Sequence, residues 1–528
     1  PVKALIITGA VETAEARGEG LLDETDAARL GDGAKKLMIL SGRDMTRMQK
    51  LNMSSLISLT DEYLLVTRPI SDTAGRAVAQ GSLMRSILSI MPDMPLRGAG
   101  DAGKLSRICF EQGELALTRV PGAIAENDDS ARAFGEALKS IDGYREKFER
   151  VMSAKNFRVY SEKLPPSIMR DAYGPLDTLS VSRLERYASC PFRHFASYAI
   201  RPEEFRVYEL SPRDAGIFYH EALERFMKKY APSLGEMTAE QSRESMDEIT
   251  GQLIDKALSA AFEPSELEKA EAGRMRVVAR RAAEIITRQF DGSKFIPVGL
   301  EADIEAQTAT VAIDDARLIG RIDRVDVFED EDSRYVRVVD YKKGSRKVSL
   351  PEIYAGLQLQ LTLYLATAIS RYDGKPAGMF YFSVRDPLID TDERDPELVD
   401  LARRKLLRLD GITLDDKRVV EAMAEDPELS VNVSINKDGS IKKSERVLSQ
   451  EDFDALIKRG VEVAAQMLAG IRDGSTDISP AQTSSGSACD WCEFKTLCQF
   501  DQRLPGAEFR PIGITRAKDV LDALRSPQ

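Results

Sequence analysis

Apolar and polar side chains alternate along Arg334-Tyr-Val-Arg-Val-Val-Asp340-Tyr-Lys342. A period of two is the signature of a strand. The same pattern, with continuous apolar runs for covered strands, predicts strands at residues 3–8, 62–67, 308–313, 317–328, 334–341 and 378–384. Apolar positions recurring every three or four residues predict helices. These cover residues 23–30, 81–90, 128–153, 216–229, 240–290, 352–370, 397–409 and 450–473. A shorter helix follows Leu179; Ser180 or Ser182 can cap it, and Pro191 ends it just past Cys190. The mixture is an α/β pattern. Residues 1–170 show too few strands to close a doubly wound sheet and read as a partial domain. A composition shift at residues 165–178 separates them from a second domain, residues 171–528.

Composition narrows the class. A chain of 528 residues is too long for one ordinary core, so two or more domains are expected. With 43% apolar and 30% charged residues the chain reads as soluble and globular. The longest apolar candidate, residues 357–369, is interrupted by glutamine and threonine, so no membrane span is expected. The opening Pro1-Val-Lys-Ala-Leu-Ile-Ile has neither signal-peptide layout nor initiator Met, and the chain reads as a fragment or processed product. A net charge of −12 argues against a protein that coats nucleic acid through its whole surface, but not against one with a local basic groove. Five cysteines are too few for a secreted disulfide scaffold; four of them at metal-like spacing point to a reducing cytoplasm. Cys109 reads as a small buried apolar residue.

Period two puts Asp340 and Lys342 on one strand face. Asp323 lies in the preceding strand, and the short link at residues 329–333 makes the two strands antiparallel neighbours. Carboxylates from adjacent strands can share a hard divalent cation such as Mg²⁺, which keeps waters for a substrate phosphate to replace. The lysine supplies positive charge to an attacking water or to the developing phosphorane oxygens. Two carboxylates with a lysine two residues on are the minimum kit of a metal-dependent phosphodiesterase. Asp326, three residues from Asp323, faces the other way, so only one of the two can reach Asp340. His220, on a helix, is either a packed histidine or a further ligand. Gln360 and Tyr364 are four apart on a helix and share a face.

Cys489-x2-Cys492-x5-Cys498 places three thiols within ten residues, and Cys190 can be the fourth. Four thiolates suit Zn²⁺ or an iron–sulfur cluster. Either would tie together segments about 300 residues apart around the Asp-x-Lys strands. The flexible Ser-rich stretch at residues 483–488 leads into the trio.

These residues resemble the RecB-like branch of the PD-(D/E)XK nucleases, and more closely the C-terminal nuclease part of the B subunit of AddAB-type helicase–nucleases. The resemblance rests on Leu184-x5-Cys190-Pro-Phe, Gly216-x3-His220, Gly320-Arg-Ile-Asp323-Arg-Val-Asp, Asp340-Tyr-Lys342, Gln360-x3-Tyr364 and the cysteine trio, in the family's order. It implies a central mixed sheet flanked by helices and closed by a four-cysteine clasp. It implies a [4Fe–4S] cluster rather than Zn²⁺ on Cys190, Cys489, Cys492 and Cys498. It also implies Mg²⁺ on His220, Asp323 and Asp340, with Lys342 as the catalytic lysine and Gln360 and Tyr364 as an added catalytic motif. Glu301 matches a recurrent family glutamate. The first 170 residues resemble the end of a RecA-like, helicase-type region, with Ser71-Asp-Thr-Ala-Gly75 after a strand.

That region lacks motor chemistry. Gly98-x4-Gly103-Lys104 is followed by Leu105 where a phosphate loop needs Ser or Thr, so no ATPase is expected from this chain. The leading expectation is a Mg²⁺-dependent DNA exonuclease subunit in recombinational repair. It would act on a single strand at duplex ends beside a helicase A subunit, as a heterodimer. Lys343, Arg346, Lys347 and the arginines 274, 276, 280 and 281 are candidates to guide the strand. A catalytically silent scaffold, or a stand-alone nuclease of the CRISPR-associated type, are the alternatives.

Overall fold

The computed structural model describes residues 2–9, 42–71, 77–94, 96, 113–125, 129–153, 163–202, 212–259, 265–304, 312–390, 395–504 and 506–526. The helix expected at residues 23–30, Cys109, residues 72–75, most of the strand expected at 308–313, and the Gly98–Leu105 stretch lie outside them. The chain forms two compact units, Pro1–Asn156 and Phe157–Gln528.

In the first unit, β1 (Val2–Ile7) and β2 (Thr60–Val66) pair in parallel, with Ile7 opposite Val66. Helix α1 (Gly42–Ser58) lies in the connection between them. Helix α2 (Ser82–Ile90) follows. Helices α3 (Gly113–Ala125), α4 (Asp129–Lys139) and α5 (Arg145–Ser153) enclose a small core of Leu117, Val120, Leu138 and Phe148. The single helical stretch expected at residues 128–153 is thus two helices, parted by a turn in which Gly143 has φ +83°.

The second unit is built on a six-stranded mixed sheet. Its members are β4 (Ile296–Asp303), β7 (Arg321–Asp330), β8 (Ser333–Lys343), β9 (Lys375–Val384), β10 (Asp410–Leu414) and β11 (Val447–Leu448). The spatial order is β11-β10-β9-β8-β7-β4, with β8 and β9 parallel and β7 antiparallel to both its neighbours. A second small sheet joins β3 (Thr178–Ser180), β5 (Ala312–Ile313) and β6 (Ala316–Ile319). Flanking helices are α6 (Val181–Ser189), α7 (Pro212–Tyr230), α8 (Ala239–Ser259), α9 (Glu266–Gln289), α10 (Gln360–Tyr372) and α11 (Gln450–Arg472). The core interleaves Val336, Val338, Phe380 and Phe382 of the sheet with Leu361, Leu365, Phe453 and Leu468 of the helices.

Breaks in the expected elements have local causes. The strand read at residues 317–328 is two, parted at Gly320, where a Cβ would come 3.3 Å from the Tyr364 hydroxyl. The helical region at 240–290 divides because Ser265 starts a new helix with a capping box to Glu268. The helix at 352–370 is two, parted at Gly356, which has φ +83° and no room for a Cβ against Met467. Among the described residues no helix is long and apolar enough to cross a membrane.

Candidate active site

The register of β7 and β8 decides which side chains meet. Arg324 pairs with Val339 and Asp326 with Arg337, so Asp323 comes opposite Asp340. Asp323 Oδ2 accepts the Tyr341 backbone N–H at 2.6 Å. Two residues beyond Asp340 on the same face, Lys342 Nζ lies 2.6 Å from Asp340 Oδ2 and donates to Gln360 Oε1 at 2.9 Å. Gln360 closes the ring by donating through Nε2 to Asp340 Oδ1 at 2.7 Å. Tyr364, one turn along α10, places its hydroxyl 3.4 Å from Gln360 Nε2. The i, i+4 pair therefore acts as one patch against the Asp-x-Lys strand.

Beside this ring, His220 Nδ1 on α7 lies 3.5 Å from Asp323 Oδ2. Glu301, on β4, joins them: Leu300 pairs with Arg324 and Ala302 with Ile322, which brings Glu301 across from Asp323. Ligand atoms of His220, Glu301 and Asp323 all lie within 4.8 Å of one another, the one such trio among the described residues. Glu301 holds this position with φ +50°, a left-handed conformation costly for a non-glycine residue and typical of functional sites.

The trio's electrostatics are compatible with a bound cation. Burial, then the charge of Asp340, holds the Asp323 carboxyl well above its ordinary range. Burial, then Glu224, pushes Glu301 up to about 7. His220 is pushed down by burial, which favours the neutral imidazole, the form able to ligate a metal. Asp340 Oδ2, also buried, faces the Lys342 ammonium at 2.6 Å. Two crowded carboxylates and a neutral histidine fit a divalent ion, which removes the repulsion that keeps protons on the acids. Asp340 itself is engaged by Lys342 and Gln360, one step from the trio.

Asp326 lies on the opposite face, fully buried with Arg324 (3.1 Å) and Arg337 (2.8 Å). Arg337 stacks 4.3 Å from the Phe295 ring centroid. The second histidine, His194, is buried among Tyr173, Tyr187 and Tyr198, and its Nε2 accepts from Arg183 Nε at 3.3 Å. The arginines of α9 have acidic partners: Arg276 and Arg280 share Asp247, Arg274 meets Glu271 and Arg281 meets Glu284. That helix face is charge-balanced. Near the ring, Lys343 and Lys347 are exposed, and Arg346 lies over the Tyr381 ring.

Ser180 caps α6, accepting the Arg183 N–H, and Cys190 closes the helix through its own N–H to Arg186 O. Cys190 is 8% exposed, while Cys489, Cys492 and Cys498 are half-buried; all four are free cysteines. They share one neighbourhood: burial first, then Cys190, Cys492 and Cys498, push the Cys489 thiol up to about 12. Glu493, between Cys492 and Cys498, pairs with Arg186 (3.2 Å) and Arg193 (2.7 Å), pinning the trio's loop to the Cys190 segment. Four thiols held together this way fit a metal or cluster that favours thiolates.

Sequence reasoning missed Glu185, which accepts the Gln360 backbone N–H at 2.9 Å. No local signal marks it, because its partner lies 175 residues on.

Residues 178–499 match the family described as the PD-(D/E)XK nuclease superfamily. Among curated relatives, the B subunit of the ATP-dependent helicase/deoxyribonuclease of Alkaliphilus oremlandii is 32% identical over 66% of this chain and 32% of its own length. The protein of the same name from Ruminiclostridium cellulolyticum is 28% identical over 98% of this chain and 48% of its own. That of Caldanaerobacter subterraneus is 28% identical over 86% and 42%. The chain spans a third to a half of the length of these relatives.

Proposed function

Since the chain belongs to the PD-(D/E)XK nuclease superfamily, we propose that it is the Mg²⁺-dependent DNA exonuclease part of a helicase–nuclease B subunit. In this reading it processes double-strand DNA ends for recombinational repair in the cytoplasm, beside a helicase A subunit that supplies ATP-driven unwinding. The observation that carries the reading is the convergence of the His220–Glu301–Asp323 trio with the Asp340–Lys342–Gln360 ring. The names of the relatives support the complex and the partner.

Asp323, His220 and Glu301 would hold the metal, with Asp340 completing the acidic wall. When bound, a divalent ion supplies Lewis acidity toward a phosphate oxygen and makes a water more acidic. Lys342, fixed by Gln360 and Asp340, presents its ammonium to the attacking water and to the phosphate as it gains charge. Gln360 sets the lysine's direction, so the charge is in place before the strand arrives. Tyr364 flanks the path of the scissile strand, and Lys343 and Lys347 draw its backbone through charge.

Cys190, Cys489, Cys492 and Cys498 would hold a [4Fe–4S] cluster with a joining role. Four thiolates would suit zinc by donor type as well; the family resemblance favours the cluster.

The test is release of label from an end-labelled linear duplex by the anaerobically purified chain. Cleavage is expected with Mg²⁺ and not with EDTA; metal-independent cleavage, or none with either, removes the reading.

A further inference from the structure

Helix α10 carries Gln360 and Tyr364, yet it begins without the devices that normally fix a helix start. Its N-cap position is Leu359, no side chain of its own caps it, and its first turn holds no acidic residue. The missing acceptor comes from another helix. Glu185 Oε1 on α6 takes the Gln360 N–H at 2.9 Å, and its carboxylate also faces the Leu359 N–H. The charges of Arg346 and Lys342 are close enough to oppose the upward push that burial gives its carboxyl. One carboxylate thus meets the N-terminus of α10, where an anion is favoured, and feels the charge of the lysine of the Asp-x-Lys strand. It lies on the short helix that Ser180 opens and Cys190 closes.

We propose that Glu185 is a positioning residue: by capping α10 from outside, it sets the height at which Gln360 bridges Asp340 and Lys342. The inference rests on the nuclease reading for its kinetic half, and on the capping geometry alone for its structural half. Glu185 touches no reacting atom. It acts through the backbone of Gln360, so its loss displaces the amide that aims the Lys342 ammonium while the strand-binding surface stays in place.

The experiment compares wild type with Glu185→Ala and Glu185→Gln, the latter keeping an oxygen that can accept the two N–H groups. Two readouts are taken on the full chain: cleavage of a linear duplex with Mg²⁺, and amide hydrogen exchange over residues 357–364. Glu185→Ala is expected to lower kcat roughly 100-fold, the cost of a small misplacement of a catalytic group, with KM for DNA within about twofold. Exchange over 357–364 is expected to rise in that variant, and Glu185→Gln to restore both readouts most of the way. Should Glu185→Ala fail to fold, Glu185→Asp, which withdraws the acceptor by one methylene, is expected to show the same exchange increase. Unchanged exchange and kcat in the folded alanine or aspartate variant overturns the proposal, as does a glutamine variant no better than alanine. If no chain cleaves DNA, the nuclease reading falls, while the exchange comparison still decides whether Glu185 caps α10.

Discussion

Arg337 donates through Nε to Oδ2 of Asp326 at 2.8 Å, and neither side chain reaches solvent. Asp326 is three residues from Asp323, and the parity of β7 sends the two carboxylates to opposite faces with opposite tasks. Asp326 neutralises part of a charge cluster that Arg324 and Arg337 bury against Phe290 and Phe295. Removing one partner of a buried pair leaves an uncompensated charge, at a cost of about 3–5 kcal/mol. Asp326→Ala is therefore expected to lower unfolding free energy by that order in urea titration, whereas Asp323→Ala is expected to leave it unchanged or raised. Equal losses in both variants would contradict the division.

The same crowding gives the metal-free protein a pH dependence. Glu301 is raised in the folded state to about 7 from 4.5, and Asp323 is raised well above 3.8. A raised carboxyl keeps its proton in the fold after the unfolded chain has released it. Its contribution to stability is thus full below about pH 4.5 and is lost as pH climbs through about 7. Melting in EDTA should show this loss, and Mg²⁺ should raise Tm more at pH 7.5 than at pH 5.5. A Mg²⁺ effect of equal size at both pH values would exclude these carboxyls as its site.

His194 works in the opposite sense. Burial, then Arg183, lowers its pKa from 6.5 to about 3, so the fold holds it neutral while the unfolded chain is protonated. That contribution is full above about pH 6.5 and lost as pH falls toward about 3. Replacing His194 with Gln should flatten the acid limb of the stability profile relative to wild type. An identical acid limb would show that other groups set it.

The cysteine joint should carry stability as well as colour. Cys492→Ser is expected to lose visible iron–sulfur absorption and to lower the Tm of the second unit, because Cys190 and the C-terminal trio would no longer be tied. A colourless wild type carrying zinc would replace the cluster. Unchanged Tm in Cys492→Ser would remove the structural role.

Much of the site was legible because it is local. Period two along residues 334–342 and the tight link to β7 give the Asp323–Asp340–Lys342 face, and helical spacing gives Gln360 with Tyr364. What escaped depends on distant chain. Strands β10 and β11 are short, and Gly411 in β10 has no side chain to reveal a period; its bare backbone packs on Met379 O and Phe380. Glu301 was identified by family resemblance, since nothing local announces its left-handed backbone. The arginines of α9 read as a basic face until Asp247 and Glu284 are seen to neutralise them. Glu185 carries no local signal, because a cap supplied from another helix leaves no trace in its neighbours.

In the proposed reading Asp340 and Lys342, 2.6 Å apart, act together on the phosphate beside the metal trio. The most direct measurement is the Mg²⁺-dependent cleavage rate of Asp340→Ala and Lys342→Ala beside wild type, with Tm recorded for each. Loss of rate on the order of 1000-fold in both, with Tm within a few degrees of wild type, is the expected result. Cleavage by Asp340→Ala at the wild-type rate would contradict the account.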